Sequence, residues 1–147
     1  MVLTRRQEVA DQARLLLLPL KADERTCLRG HRRTACGRSV LLQLPRQGPL
    51  KSGEYLVPEN GSMLVRVQAA DEAQLLVTAE SPLDLLKAAY HLGNRHVALE
   101  LHPDSLRLLD DSVLATMLCS RGLNVRRILE PFEPEFGAYG KTEYHNH

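Results

Sequence analysis

The hydrophobic and polar pattern divides the chain into two parts that meet near residue 70. Before that point the apolar residues come in short runs, and the candidate strands are 13–18, 23–28, 39–44, 55–57 and 63–67. Glycine and proline bound several of these runs, and Asn60-Gly61 between the last two is a strong hairpin signal. Short strands at this spacing are typical of a small sandwich or barrel. Residues 1–70 are therefore predicted to form an all-β domain.

From residue 71 the pattern alternates between strand and helix periods. Strands are predicted at 74–78, 96–101, 106–109 and 123–129. The resulting order of strand, helix, strand, strand, helix, strand is that of the ferredoxin-like βαββαβ fold. We therefore predict an α+β chain with a ferredoxin-like domain at 71–131. The helices should cover one face of its antiparallel sheet and leave the other open to a second copy. After Pro131 the apolar periodicity ends, which predicts a flexible tail over 132–147.

Capping residues mark where both helices of this domain begin. Ser81 precedes Pro82 at the start of the first helix, and Asp110 or Asp111 precedes the second. Gly93 and Gly122 are the predicted helix stops. The predicted core-facing residues are Leu85, Leu86, Ala89 and Leu92 in the first helix and Val113, Leu114, Met117 and Leu118 in the second.

The turn after the first helix carries the strongest candidate for chemistry. With Gly93 as a left-handed stop, His96 becomes the first residue of the following strand. An imidazole at a rigid position suits a late transition metal such as nickel or zinc. One histidine is too little for a closed site, so two chains are expected to share one metal. The alternative is that His96 is an ordinary polar residue at the start of a strand.

Composition narrows the class of protein without identifying it. The 147 residues include 25% charged residues and have a net charge of +1, so nothing drives the chain toward nucleic acid or an anionic membrane. The run at 15–20 is too short to span a bilayer, and no signal peptide is evident. Three cysteines fit a reducing compartment. We expect a cytoplasmic protein.

Two motifs resemble a known family. Tyr90-His-Leu-Gly-Asn-Arg-His96 and Glu130-Pro-Phe-Glu-Pro-Glu-Phe-Gly-Ala-Tyr139 are similar to segments of the UreE family of urease accessory nickel metallochaperones. The similarity is dense in the C-terminal half and only in outline in the N-terminal half.

This resemblance implies that His96 is the metal ligand, contributed by each subunit across the axis of a homodimer. The cargo would be Ni²⁺, with Zn²⁺ or Cu²⁺ as alternatives at the same site. The partners would be the urease apoprotein and other accessory proteins, including the GTPase. His145 and His147 in the tail are further candidate ligands, or an inert end. His91 and His102 are secondary candidates, with a helix-surface residue and a turn residue as their alternatives.

A basic segment in the N-terminal half is a candidate surface for binding partner proteins. Its cations, which could dock an acidic partner or form a solvated face, are Arg25, Arg29, Arg32, Arg33 and Arg38. The same segment contains Cys27, His31 and Cys36. Their spacing lacks a zinc knuckle, and neighbouring arginines should lower thiol pKa values rather than favour a cation.

No catalytic apparatus is evident, since the chain has neither a nucleophile elbow nor a P-loop. The central strands of the predicted sheet lack the stacking aromatics of RNA-binding domains. A phosphatase would need an anion loop where this chain has Ala79-Glu-Ser-Pro82. The remaining alternative is a non-catalytic protein-binding adaptor with a vestigial metal site.

Overall fold

The computed structural model describes residues 1–7, 14–61 and 63–135. The chain is α+β and divides into two compact units between Ala70 and Asp71. Among the described residues, no helix is long and apolar enough to cross a membrane.

The first unit contains two small sheets and one short helix. In chain order its elements are β1 (Val2–Leu3), β2 (Arg5–Gln7), β3 (Arg14–Leu20), α1 (Ala22–Thr26), β4 (Arg29–Arg33), β5 (Ser39–Gln43), β6 (Tyr55–Val57) and β7 (Met63–Ala69). One sheet has the order β1-β5-β4 and the other β2-β6-β7-β3. Leucine and valine side chains from both sheets form its core, including Leu3, Leu18, Leu42, Leu56 and Val65. This aliphatic core is what a chain with so few aromatics must build.

The predicted hairpin is confirmed. β6 and β7 pair antiparallel, with Leu56 opposite Val65. In the turn between them Gly61 has φ of +66° and donates its N–H to the Pro58 carbonyl at 3.0 Å. A glycine is required there because other residues seldom adopt positive φ.

The predicted strand over residues 23–28 is wrong, because Ala22–Thr26 is a helix. Glu24 accepts a hydrogen bond from the Lys21 backbone N–H at 2.9 Å, which satisfies a donor at the helix start. Asp23 and Glu24 also place negative charge in the first turn, where the helix dipole favours it. These local effects favour a short helix over the predicted strand.

The second unit packs two helices on one face of a four-stranded sheet. Its elements are β8 (Asp71–Thr78), α2 (Pro82–Asn94), β9 (Glu100–Leu101), β10 (Leu106–Leu109), α3 (Ser112–Ser120) and β11 (Asn124–Pro131). The strand order is β11-β8-β10-β9, antiparallel throughout. Leu75, Val77, Leu106 and Leu108 from the sheet meet Leu92 and Leu118 from the helices in the core.

Both predicted helix caps of this unit are confirmed. The Ser81 hydroxyl accepts the Asp84 N–H at 3.2 Å. The Asp111 carboxylate accepts the N–H groups of Val113 and Leu114 at 2.9 and 3.0 Å. These bonds satisfy donors that the helices themselves leave unpaired, so both helices begin where the sequence indicates.

The predicted core faces of the helices are wrong at one residue each. Leu86 in α2 and Val113 in α3 are exposed, whereas Ala88 and Ala115 are buried. Ala88 and Ala115 thus belong to the core that each helix forms with the sheet. Each buried stripe is therefore centred about one residue away from the predicted one.

The packing of this unit continues past Pro131. Phe132 is completely buried, and Glu135 donates its N–H to the Leu99 carbonyl at 2.7 Å. Residues 132–135 therefore belong to the second unit, whereas the rest of the predicted tail lies outside the described residues.

Candidate metal centre

His96 occupies the turn that ends α2. The His96 N–H bonds to the Gly93 carbonyl at 3.0 Å, and the Val97 N–H bonds to the Leu92 carbonyl at 3.1 Å. These two bonds are the Schellman arrangement, which needs a left-handed residue after the helix cap. Among the described non-glycine residues, His96 alone has positive φ, at +58°.

The prediction that Gly93 is the left-handed stop and that His96 begins a strand is wrong. The helix runs on through Asn94, and the following strand is only Glu100–Leu101. The cause lies in packing, because Leu92 is buried and Val97 packs against the same core. Packing both residues against this core fixes the register of the turn and leaves His96 in the strained position.

The end of α3 shows what this turn normally requires. There Gly122 takes the equivalent position with φ of +84°, and the Leu123 N–H bonds to the Leu118 carbonyl at 3.1 Å. Histidine costs more than glycine in this conformation, although it tolerates it better than most residues. The turn presents the exposed His96 side chain on a backbone held by hydrogen bonds on both sides.

His91 lies one helical turn before the end of α2 and is half-buried. Its ring meets that of Tyr90 edge-on, with centroids 5.4 Å apart and planes at 76°.

His102 forms part of a charged cluster centred on Glu100. Its Nε2 lies 2.5 Å from one Glu100 carboxylate oxygen, and Arg107 Nε lies 3.7 Å from the same oxygen. The other oxygen accepts the Glu133 N–H at 2.8 Å. One ring nitrogen of His102 is therefore engaged within the chain, which makes the residue a weaker candidate ligand than His96.

Across the described ranges, no three residues of the types His, Cys, Asp and Glu are grouped so as to hold a metal. His96, His91 and His102 therefore do not form a three-ligand site together, and His145 and His147 lie outside the described residues. The described part of one chain presents His96 as a single exposed imidazole rather than a closed site.

The candidate partner-binding arginines fall into two groups. Arg25 is only 5% exposed and donates to the Leu20 carbonyl at 2.7 Å. Arg32 donates to the carbonyls of His31 and Cys27 at 2.7 and 3.2 Å. These two guanidinium groups stabilise the first unit itself.

The other three arginines, Arg29, Arg33 and Arg38, are exposed. The first two lie on the edge strand β4, with Arg33 also donating to the Gly37 carbonyl at 3.0 Å. Of the five candidate arginines, only these three are classed as exposed.

The cysteines of this segment are exposed. The Cys36 thiol lies 3.2 Å from the Thr34 hydroxyl, and this hydrogen bond lowers the pKa of Cys36, helped by the Arg38 backbone N–H. The arginine charge that the sequence suggested is only a minor cause.

Sequence reasoning missed an exposed apolar stripe on α2. Leu83, Leu86 and Tyr90 are 58%, 67% and 66% exposed, and their spacing of three and four residues places them on one side of the helix. The stripe runs toward the end of α2 that carries His96. The only sequence signal was that α2 has more apolar residues than one buried face needs.

Comparison with known proteins identifies a family that this chain resembles. Residues 72–147 match the family model described as UreE urease accessory protein, C-terminal domain. The urease accessory protein UreE of Parasynechococcus marenigrum (strain WH8102) is 63% identical over 135 residues, covering 92% of this chain and 89% of that protein. The protein of the same name from Thermosynechococcus vestitus is 51% identical over 129 residues, covering 88% and 90%.

Proposed function

The chain belongs to the UreE family of urease accessory proteins, and we propose that it binds nickel between two copies of its second unit and delivers the ion to apo-urease. As a urease maturation factor it is a chaperone and not an enzyme. We propose that it acts in the cytoplasm, where the reducing conditions fit its three free cysteines.

The observation that carries this proposal is the conformation of His96. A strained non-glycine residue persists only where the surrounding structure over-determines it, and such residues cluster at functional sites. His96 is such a residue, and the turn holds its exposed imidazole at the end of α2, which is itself anchored in the core. Imidazole is a good ligand for nickel, and it also binds zinc and copper.

Two His96 imidazoles meeting across a twofold axis would give an incomplete coordination shell. A shell completed by water or mobile groups exchanges its metal, whereas a closed site of four protein ligands holds it firmly. The tail histidines His145 and His147 are candidates to complete the shell. Removing residues 144–147 should weaken nickel binding modestly in calorimetry and leave the thermal unfolding unchanged.

We propose that the dimer forms through the apolar stripe of α2. A second copy is the fitting occupant because the metal site needs a second imidazole, and the stripe leads to His96. The face of the sheet opposite the helices fits less well, because Arg107 there pairs with Glu100 and Glu130 at 3.7 and 3.5 Å. Burying these ions would carry a desolvation cost.

Sedimentation at low micromolar concentration tests this dimer. Leu86→Glu should abolish it, whereas Lys51→Glu, which makes a charge change at an exposed position in the first unit, should preserve it. A Leu86→Glu protein that remains a tight dimer would move the interface elsewhere.

We further propose that the second unit is a ferredoxin-like domain for metal binding and dimerisation. Its strand order, β11-β8-β10-β9 with two helices on one face, supports this fold. The first unit would then bind partners, namely the urease apoprotein and accessory proteins including the GTPase. Arg29, Arg33 and Arg38 would meet acidic surfaces of those partners.

Nickel titration of three variants, followed by urease activation, tests the proposed function. His96→Ala should abolish the high-affinity site and impair activation, while His91→Ala and His102→Ala should have smaller effects. Normal activation by a His96→Ala protein that no longer binds nickel would instead favour an adaptor with a vestigial metal site.

A further inference from the structure

The outer strand β11 is a long, exposed sheet edge. Its eight residues pair with β8 on one side, and within the described ranges no strand pairs with its other side. Leu129 is 67% exposed, and the Arg127 side chain is 64% exposed. Such an edge is a template for pairing with another strand unless something protects it.

The alternation of hydrogen bonds along β8 shows which backbone groups of β11 point away from the sheet. The Asp110 N–H donates to the Ala73 carbonyl, so the odd-numbered residues of β8 turn their backbone groups toward β10. The even-numbered residues of β8 therefore bond to β11, where Gln74 faces Ile128. By alternation, Val125, Arg127 and Leu129 direct their N–H and carbonyl groups away from the sheet.

We propose that β11 pairs antiparallel with β11 of a second copy, about a twofold axis through Ile128. In this register Arg127 and Leu129 form hydrogen-bonded pairs with Leu129 and Arg127 of the second copy. The Arg126 side chain then lies opposite Glu130 of the second copy. The twofold axis generates a second pair, between Glu130 of the first copy and Arg126 of the second. Opposite charges directly across such a pair stabilise it.

The neighbouring registers are less favourable. An axis through Arg127 or Arg126 would place that arginine opposite itself, and like charges directly opposite each other are destabilising. An axis through Leu129 would bring together no opposite charges. The charge pattern thus selects the axis through Ile128.

The remaining charge of the edge is already compensated within the chain. Arg127 Nε lies 3.3 Å from an Asp110 carboxylate oxygen. Glu130 has only a long 3.5 Å contact with Arg107 and half of its side chain is exposed, so it is accessible to a second arginine. This surface is distinct from the apolar stripe of α2, so the two contacts together would join pairs of dimers through a continuous sheet.

A charge-swap experiment tests the pairing in full-length protein carrying Leu86→Glu, which removes the α2 contact. A concentration series by sedimentation equilibrium should show weak self-association of this protein. Adding Arg126→Glu or Glu130→Arg should raise its dissociation constant at least tenfold. An equimolar mixture of these two variants should form a heterodimer, because both cross-strand pairs then unite opposite charges. The doubly swapped chain should also associate again.

Two further variants keep the outcome interpretable. Arg121→Glu makes the same charge change at an exposed residue off the strand and should leave association unchanged. Leu129→Pro removes an outward N–H without touching the contact of Glu130 with Arg107, and should abolish association even if Glu130→Arg fails to fold. Association that survives Leu129→Pro, or variants that fail to rescue each other when mixed, would overturn the pairing. Neither result bears on nickel binding by His96.

Discussion

Replacing His96 with glycine should separate the stability of the second unit from its function. Relief of the left-handed conformation should contribute about 1–2 kcal/mol. The greater conformational freedom of glycine in the unfolded chain offsets about 0.5–1 kcal/mol of this stabilisation. Because the His96 side chain is exposed, little packing is lost. The net expectation is a protein more stable by about 0.5–1 kcal/mol that has lost its high-affinity nickel site.

Two alanine variants serve as matched controls for the left-handed backbone conformation. His96→Ala keeps the strain, so its stability should stay near that of the wild type although nickel binding is lost. Gly122→Ala introduces the strain at the end of α3, where a Cβ atom would meet nothing within 4 Å. It should therefore destabilise the protein by about 0.5–1 kcal/mol through the backbone alone.

Urea unfolding at fixed protein concentration, with chelator present, measures these differences. At a slope of about 2 kcal/mol per molar, the midpoint should rise by about 0.3–0.5 M for His96→Gly and fall by a similar amount for Gly122→Ala. A His96→Gly protein destabilised as much as Gly122→Ala would refute the idea that the turn strains His96.

Two other predictions concern the first unit. Arg25→Met should destabilise it by about 1–3 kcal/mol, because the buried Leu20 carbonyl loses a charged donor, whereas Arg29→Met should leave the urea midpoint unchanged. Thr34→Val should raise the pKa of Cys36 toward its ordinary value, since the hydroxyl that lowers it is gone. The pH profile of Cys36 alkylation, followed by mass spectrometry, should shift to higher pH, and an unchanged profile would exclude the hydroxyl as the cause.

Features set by local sequence could be predicted, whereas those set by packing could not. Ser81 and Asp111 cap their helices through bonds to residues two or three positions away, so their neighbours alone identify them. The turn at His96 depends instead on the packing of Val97 against the core, which no local pattern reveals. The burial of Ala88 and Ala115 likewise follows from tertiary packing and not from the local pattern.

The candidate site shows the same division. The identity of His96 as a candidate ligand followed from its motif, but its left-handed conformation did not. The pairing of His102 with Glu100, and through Arg107 with Glu130, joins residues of β9, β10 and β11. Similarly, Arg25 and Arg33 look equivalent in the sequence, although the fold buries one and exposes the other.

The most direct test of the central claim is the amount of nickel bound per chain by the wild-type protein and by His96→Ala in equilibrium dialysis. Two chains sharing one ion through their His96 side chains predict one tightly held nickel for every two wild-type chains and none for the variant. One tightly held ion for every chain, retained in His96→Ala, would contradict the shared site.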